Sequence, residues 1–172
     1  MPYAVCLFFD KPSSEIIAGY WRRIDSVYMR LGAKPHISLS VFDAVDIPAM
    51  EEWLGEFAFG CEKITVSLPS IGSFLTDERV IFLAPVVSRA LLELHSAFYD
   101  RLNERRMTFH PLYAPGNWVP HCTLDMEISD GEYKRKIAQC AFLDQIPSAG
   151  LESIGLIEFR PVKELLRFPL RQ

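Results

Sequence analysis

Two stretches of the chain carry the same small set of reactive side chains. Pro35-His36-Ile37-Ser38-Leu39 and Pro120-His121-Cys122-Thr123-Leu124 both read Pro-His-x-Ser/Thr-apolar, and the second lies 85 residues after the first. In an extended strand, residues i and i+2 point to one face. That spacing sets His36 beside Ser38, and His121 beside Thr123. Ile37, Leu39 and Val41 are expected to point the other way, into the core, and so are Cys122, Leu124 and Met126. An imidazole titrates near neutral pH, so of two facing histidines one can take a proton while the other gives one. Hydroxyls two residues on can hold the oxygens of a phosphoryl group between them. The inventory suits phosphoester chemistry without a metal, and Ser38 and Thr123 are the candidate phosphate-binding groups. Which histidine is acid and which is base stays open.

Zinc ligation has no support in the spacing. The sequence contains no HxxxH, HxH or CxxC pair, and neither histidine strand adds a second ligand type at i+2. The four cysteines, Cys6, Cys61, Cys122 and Cys140, sit in apolar neighbourhoods and read as buried free thiols of a reducing cytoplasm. Of the remaining histidines, His95 falls on the inner face of a helix and reads as structural. His110 precedes Pro111 in an aromatic loop and could touch a substrate. Tyr113 and Trp118 of that loop are candidates to stack on a nucleobase. Ser40 and Asp125 share the faces of the two motifs. The basic pairs Arg22-Arg23 and Arg105-Arg106 read as solvated helix faces.

The elements that must carry these residues follow one order twice. Residues 3–9 are apolar on both faces, as in a central strand. A helix opens at Pro12-Ser13-Ser14 and places Ile17, Tyr20, Ile24, Val27 and Leu31 on one face until Gly32 ends it. Residues 35–42 alternate as a strand. Asp46 and Pro48 start a second helix that buries Met50, Trp53, Leu54 and Phe57. Residues 64–75 are strand-like with a break at Pro69. Then residues 79–87 form a strand, and Ser88 caps a helix with Leu91, Leu94 or His95, Phe98 and Leu102 inward. Residues 120–127 form the second histidine strand. Asp130 starts a helix with Tyr133, Ile137 and Ala141 inward. Residues 150–160 and 163–170 complete the strands. Ser70-Ile71-Gly72 recurs as Ser153-Ile154-Gly155, 83 residues on.

The pattern predicts one α+β domain over 1–172. It is bilobal and duplicated, with repeats of about 1–76 and 77–160 and a C-terminal strand at 163–170. Two mainly antiparallel sheets would line a central cleft, with helices packed outside and a pseudo-two-fold between the lobes. The loop 108–119, rich in Pro, Gly and aromatics, breaks the symmetry just before the second histidine strand, where a long loop is often functional.

With both motifs in view, the chain resembles the 2H phosphoesterase superfamily, in its 2′-5′ RNA ligase-like and cyclic nucleotide phosphodiesterase branch. Residues 80–102, where a strand precedes a helix with a Leu-His pair, are similar to that branch as well. The resemblance implies metal-independent action on 2′,3′-cyclic phosphates or related ends, often with a 2′-phosphate product. It implies His36 and His121 as the catalytic pair, Ser38 and Thr123 as phosphate-binding hydroxyls, and no cofactor. Hydrolysis, joining of RNA ends and nucleotide binding without turnover stay open as alternatives.

Composition limits the partners. The chain has 172 residues, 49% of them hydrophobic and 23% charged, which excludes disordered, collagen-like and low-complexity classes. Its longest apolar run, Val80 to Val87, falls far short of the roughly 20 residues that cross a bilayer. The N-terminal stretch lacks the basic start of a signal peptide. Net charge is −4, which disfavours long nucleic acid held by its phosphates. The expected partner is a small nucleotide or an RNA end, with no DNA and no membrane, for a cytoplasmic monomer.

Overall fold

The computed structural model describes residues 2–74, 76–159 and 161–172. Leu75 and Arg160, the last residues of two predicted strands, lie outside the described residues, as does Met1.

Strand β1 (Tyr3–Phe9) is buried from Ala4 onward because both of its edges and both of its faces are covered. It pairs antiparallel with β2 (His36–Phe42) on one side and with β7 (Ile146–Glu158) on the other. Val5, Leu7 and Phe9 enter the main core, whereas Ala4, Cys6 and Phe8 join a second apolar cluster with Val41 and Ile157. The far edge of β7 is shared end to end by β3 (Ile64–Leu68) and β8 (Lys163–Pro169). A second antiparallel sheet runs β4 (Ser70–Ser73), β5 (Ile81–Ala84), β6 (Cys122–Asp125). Thus β2, which begins at His36, and β6, which is shorter than the predicted 120–127 and begins one residue after His121, are both edge strands.

Helices cover the outer faces. Helix α1 (Lys11–Arg23) starts where the Asp10 carboxylate accepts from Ser13 N at 2.8 Å, with Pro12 in its first turn. Helix α3 (Ile47–Gly60) is capped by Asp46 and buries Met50, Trp53, Leu54, Phe57 and Ala58. Helix α4 (Arg89–Glu104) is capped by Ser88 and buries Leu91, Leu94, His95, Phe98 and Leu102, as its spacing predicts. Helix α5 (Asp130–Cys140) differs from expectation. Lys136 and Cys140 are its buried residues, while Tyr133 and Ile137 are half-buried and Ala141 is exposed.

The helix predicted to run unbroken to Leu31 is interrupted. It ends at Arg23, and a single turn, α2 (Tyr28–Leu31), follows before Gly32 turns the chain at φ 68°. Asp25 adopts φ 52°, and Ser26 is fully buried. The Ser26 hydroxyl donates to Leu124 O at 2.6 Å, and Val27 N donates to the Asp125 carboxylate at 2.9 Å. Tertiary hydrogen bonds to β6 therefore replace helical ones, which helical periodicity cannot foresee.

The two sheets repeat one register. Cys6 faces Ser38 and Val5 faces Ser40, so Leu39 is passed over; Phe82 faces Thr123 and Ile81 faces Asp125, so Leu124 is passed over. Both histidine strands thus bulge at the same step after the motif hydroxyl. The repeated tripeptide also matches, with Gly155 opposite Cys6 and Gly72 opposite Phe82. The sheets are not each built from one half of the chain, however: β7 lies beside β1, and β4 lies beside β5. Each half lends its last strand to the other sheet, so the lobes do not coincide with residues 1–76 and 77–160.

Candidate active site

A cavity of about 880 Å³ opens between the two sheets, and His36, Ser38, His121, Thr123, Tyr113 and Trp118 all line it. The two motif strands, β2 and β6, lie next to each other. Ala4, Val41 and Ile157 of the second apolar cluster form part of the cavity floor, with Tyr113 and Phe159 packed against that cluster.

The two imidazoles are held alike. His36 Nδ1 lies 2.7 Å from Lys34 O, and His121 Nδ1 lies 2.7 Å from Val119 O, the carbonyl two residues upstream in each case. A carbonyl only accepts, so each neutral ring carries its proton on Nδ1 and leaves Nε2 as the group able to take a proton. Burial lowers the pKa of both from the ordinary histidine value, against the raising effect of those carbonyls. His36 is lowered further by the nearby His121.

Aromatic rings fix the histidines from behind. His121 meets Phe74 edge-on at 4.9 Å and Phe82 at 5.2 Å, and Phe74 and Phe82 contact each other at 4.6 Å. His36 lies 6.0 Å from Phe8, whose ring carries the Arg167 guanidinium at 4.0 Å.

Because β2 and β6 are edge strands, their carbonyls need other donors. Trp118 Nε1 donates to Ser38 O at 2.9 Å, and Trp21 Nε1 donates to Thr123 O at 3.0 Å. An indole N–H thus anchors the backbone of each hydroxyl-bearing residue. Trp118 is itself stacked on His95, at 3.9 Å and 2°. His95 Nε2 bonds Tyr113 O at 3.0 Å, so this histidine joins α4 to the 3₁₀ turn Pro111–Tyr113. Burial lowers its pKa as well. His110 caps that turn through Nδ1, which accepts from Leu112 N, and it lies outside the cavity.

Four residues of the two predicted histidine strands depart from simple alternation. Val41 and Met126 line the cavity instead of pointing into the core, and Ser40 and Asp125 are buried away from it. The two bulges cause this, since an extra residue turns everything after it to the opposite face. The Asp125 carboxylate accepts from Val27 N, from the Ser26 hydroxyl at 3.3 Å and from Lys136 Nζ. Among the described residues, the Ser40 hydroxyl has no hydrogen-bond partner. Arg105 lies over Trp53 at 5.3 Å, a contact absent from the reading of Arg105-Arg106 as a solvated pair. Tyr28, Phe74 and Phe82 carried no sequence signal: they stand outside both motifs and reach the site through the helix interruption and the β4–β5 pairing. Among the described residues, no cluster of three or more His, Cys, Asp or Glu side chains is placed to hold a metal ion, and no helix is long and apolar enough to cross a membrane.

The family model of the 2′-5′ RNA ligase superfamily matches residues 10–158, nearly the whole element order described above. The chain belongs to that superfamily. A Bacillus licheniformis protein named "Putative phosphoesterase" is 27% identical over 136 residues, covering 77% of this chain and 75% of the relative. The fold matches crystal structures of E. coli LigT complexed with 3′-AMP (TM-score 0.65, 16% identity) and of TT0787 from Thermus thermophilus (TM-score 0.64, 17% identity). Each alignment covers 99% of this chain and 98% of the other. As a superfamily member, the chain shares the two-sheet α+β architecture of LigT-like phosphoesterases.

Proposed function

We propose that the chain is a phosphoesterase that opens 2′,3′-cyclic phosphates of small nucleotides or RNA ends, with His36 and His121 as its acid–base pair. The observation that supports this most is the matched tethering of the two imidazoles: each Nδ1 is committed to a carbonyl, each ring lines the same cavity, and each has a hydroxyl two residues on.

In the proposed step, Nε2 of one neutral histidine takes a proton from water as the water oxygen bonds to phosphorus. The bond from phosphorus to one ribose oxygen breaks, and the second histidine, entering protonated, gives its proton to that oxygen. The product is a nucleoside monophosphate, and return of the proton between the rings restores the site. Ser38 and Thr123 donate to the non-bridging oxygens, which carry the growing charge. Tyr113, over the apolar floor, is the proposed stacking surface for the base. Trp118 adds one ring face, its other being covered by His95.

The E. coli LigT complexes with 3′-AMP and with phosphate support a nucleotide phosphate as ligand. The net charge of −4 favours a small nucleotide over long RNA. The test is a panel of 2′,3′-cyclic mononucleotides and of tRNA halves with 2′,3′-cyclic and 5′-hydroxyl ends, incubated in EDTA with product analysis. Monophosphate release supports hydrolysis. Joined halves without monophosphate release would replace it with ligation, and binding without turnover would make the chain a nucleotide-binding module.

A further inference from the structure

We propose that His95 is a positioning residue for both halves of the cavity, its ring edge holding Tyr113 at the base subsite and its ring face holding Trp118, the anchor of Ser38 at the phosphate subsite. The ligand class and the two subsites rest on the proposed function; the contacts do not.

His95 is buried, at 3% exposed, and stands behind the cavity wall rather than in it. It projects from α4, which Leu91, Leu94, Phe98 and Leu102 fix in the main core. A carbonyl only accepts, so the 3.0 Å bond to Tyr113 O is donated by His95 Nε2. The face of the same ring lies parallel to the Trp118 indole, 3.9 Å away and tilted by 2°. The Trp118 Nε1–H donates to Ser38 O at 2.9 Å. An indole donor lies in the plane of its ring, so the stack that sets the plane also sets the direction of this bond.

The segment between the two contacts closes on itself. Asn117 N and Trp118 N both donate to Ala114 O at 3.0 Å, and Gly116 takes φ 89° in the turn. The loop is tied down separately at its start, where His110 N donates to Val41 O at 3.0 Å. One imidazole therefore spans the two ends of a compact turn, and both ends line the cavity. Tyr113 packs on the second apolar cluster there. The residue type follows from this geometry, which needs a flat ring with an N–H on its edge. Phenylalanine offers the ring without the donor, and glutamine the donor without the ring. The two substitutions thus cut different contacts of one side chain.

The experiment titrates inorganic phosphate and 3′-AMP by NMR and measures kcat and KM for 2′,3′-cyclic AMP. The chains are wild type, H95Q, H95F, W118F and the H95Q/W118F double variant, with thermal unfolding of each. H95Q frees the Trp118 ring and should weaken phosphate binding and lower kcat, each about tenfold. H95F keeps the ring stack and should bind phosphate as wild type does. It should lose about tenfold of the advantage of 3′-AMP over phosphate and raise KM, because Tyr113 is no longer held. The double variant should bind phosphate no worse than W118F. Should either His95 variant fail to fold, W118F and Y113A decide: W118F must lose phosphate affinity and Y113A the 3′-AMP advantage. Equal losses of both ligands in H95Q and H95F, or wild-type affinities in both, would overturn the inference. So would multiplying losses for H95Q and W118F, or no binding of either ligand by wild type. Opposite losses without cyclic-nucleotide turnover support the inference and remove the catalytic reading. Turnover without that split does the reverse.

Discussion

Gly72 lies against the ring of Phe82, so closely that a Cβ at position 72 would stand 2.3 Å from Phe82 Cε2. Phe82 in turn backs His121. At the matching position in the other sheet, a Cβ on Gly155 would meet Leu166 O at 2.2 Å and Phe8 at 3.1 Å. The glycine of the repeated Ser-Ile-Gly tripeptide thus makes room beside each histidine's aromatic support. Gly72→Ala should cost about 1–3 kcal/mol as the Phe82 ring swings away, and activity should fall because His121 loses its backing. Gly155→Ala meets backbone as well as a ring and should destabilise more. Thermal unfolding with activity measured at a temperature where both variants are folded checks this; wild-type values for Gly72→Ala would contradict it.

The buried Asp125–Lys136 pair ties β6 to α5 and to the turn before α2. Lys136→Met leaves the Asp125 carboxylate buried without its cation and should destabilise by about 3–5 kcal/mol. Replacing both, as Asp125→Leu with Lys136→Met, should recover part of that loss but not the bonds to Ser26 and Val27. Denaturant midpoints of the three variants measure the difference.

Both cavity histidines have pKa values lowered below the unfolded value near 6.5. A depressed imidazole contributes stability above the unfolded pKa and loses it as pH falls through the folded pKa, because the unfolded chain then binds the protons more readily. Unfolding temperature should therefore decline as pH falls below about 6.5, and less steeply in a His36→Gln/His121→Gln variant. The proposed activity needs one neutral and one protonated ring, so the kcat/KM optimum should lie on the acid side of about 6.5. A profile still rising beyond neutral pH would contradict both lowered values.

Much of this arrangement could be read in the sequence, for a physical reason. Strand periodicity and the i, i+2 rule pair His36 with Ser38 and His121 with Thr123, and local capping residues such as Asp10, Asp46 and Ser88 set helix starts. The misses share a cause too. Asp25, Ser26 and Val27 leave the helix to serve β6, and the bulges after Ser38 and Thr123 turn Val41 and Met126 toward the cavity. Those choices are made by residues distant in the chain, which local pattern does not contain. The exchange of β4 and β7 between sheets is likewise a matter of topology rather than periodicity.

The two indole anchors give a further test. Trp118→Phe keeps an aromatic ring for His95 to stack on but removes the donor to Ser38 O. Loss of that bond, about 1–3 kcal/mol, should appear chiefly as weaker kcat/KM because Ser38 faces the cavity. Trp21→Phe removes the bond to Thr123 O from a nearly fully buried position and should cost stability as well. Activity and unfolding temperature measured together separate the two.

The proposed chemistry requires His36 and His121 to act on one phosphorus. Hydrolysis of a 2′,3′-cyclic nucleotide in EDTA by wild type, His36→Ala and His121→Ala, followed across pH, addresses this requirement. Each variant should lose about 100-fold or more in kcat, and each should lose one limb of the bell-shaped profile, the two variants losing opposite limbs. Turnover that survives either substitution with its profile intact would contradict a shared acid–base role for the pair.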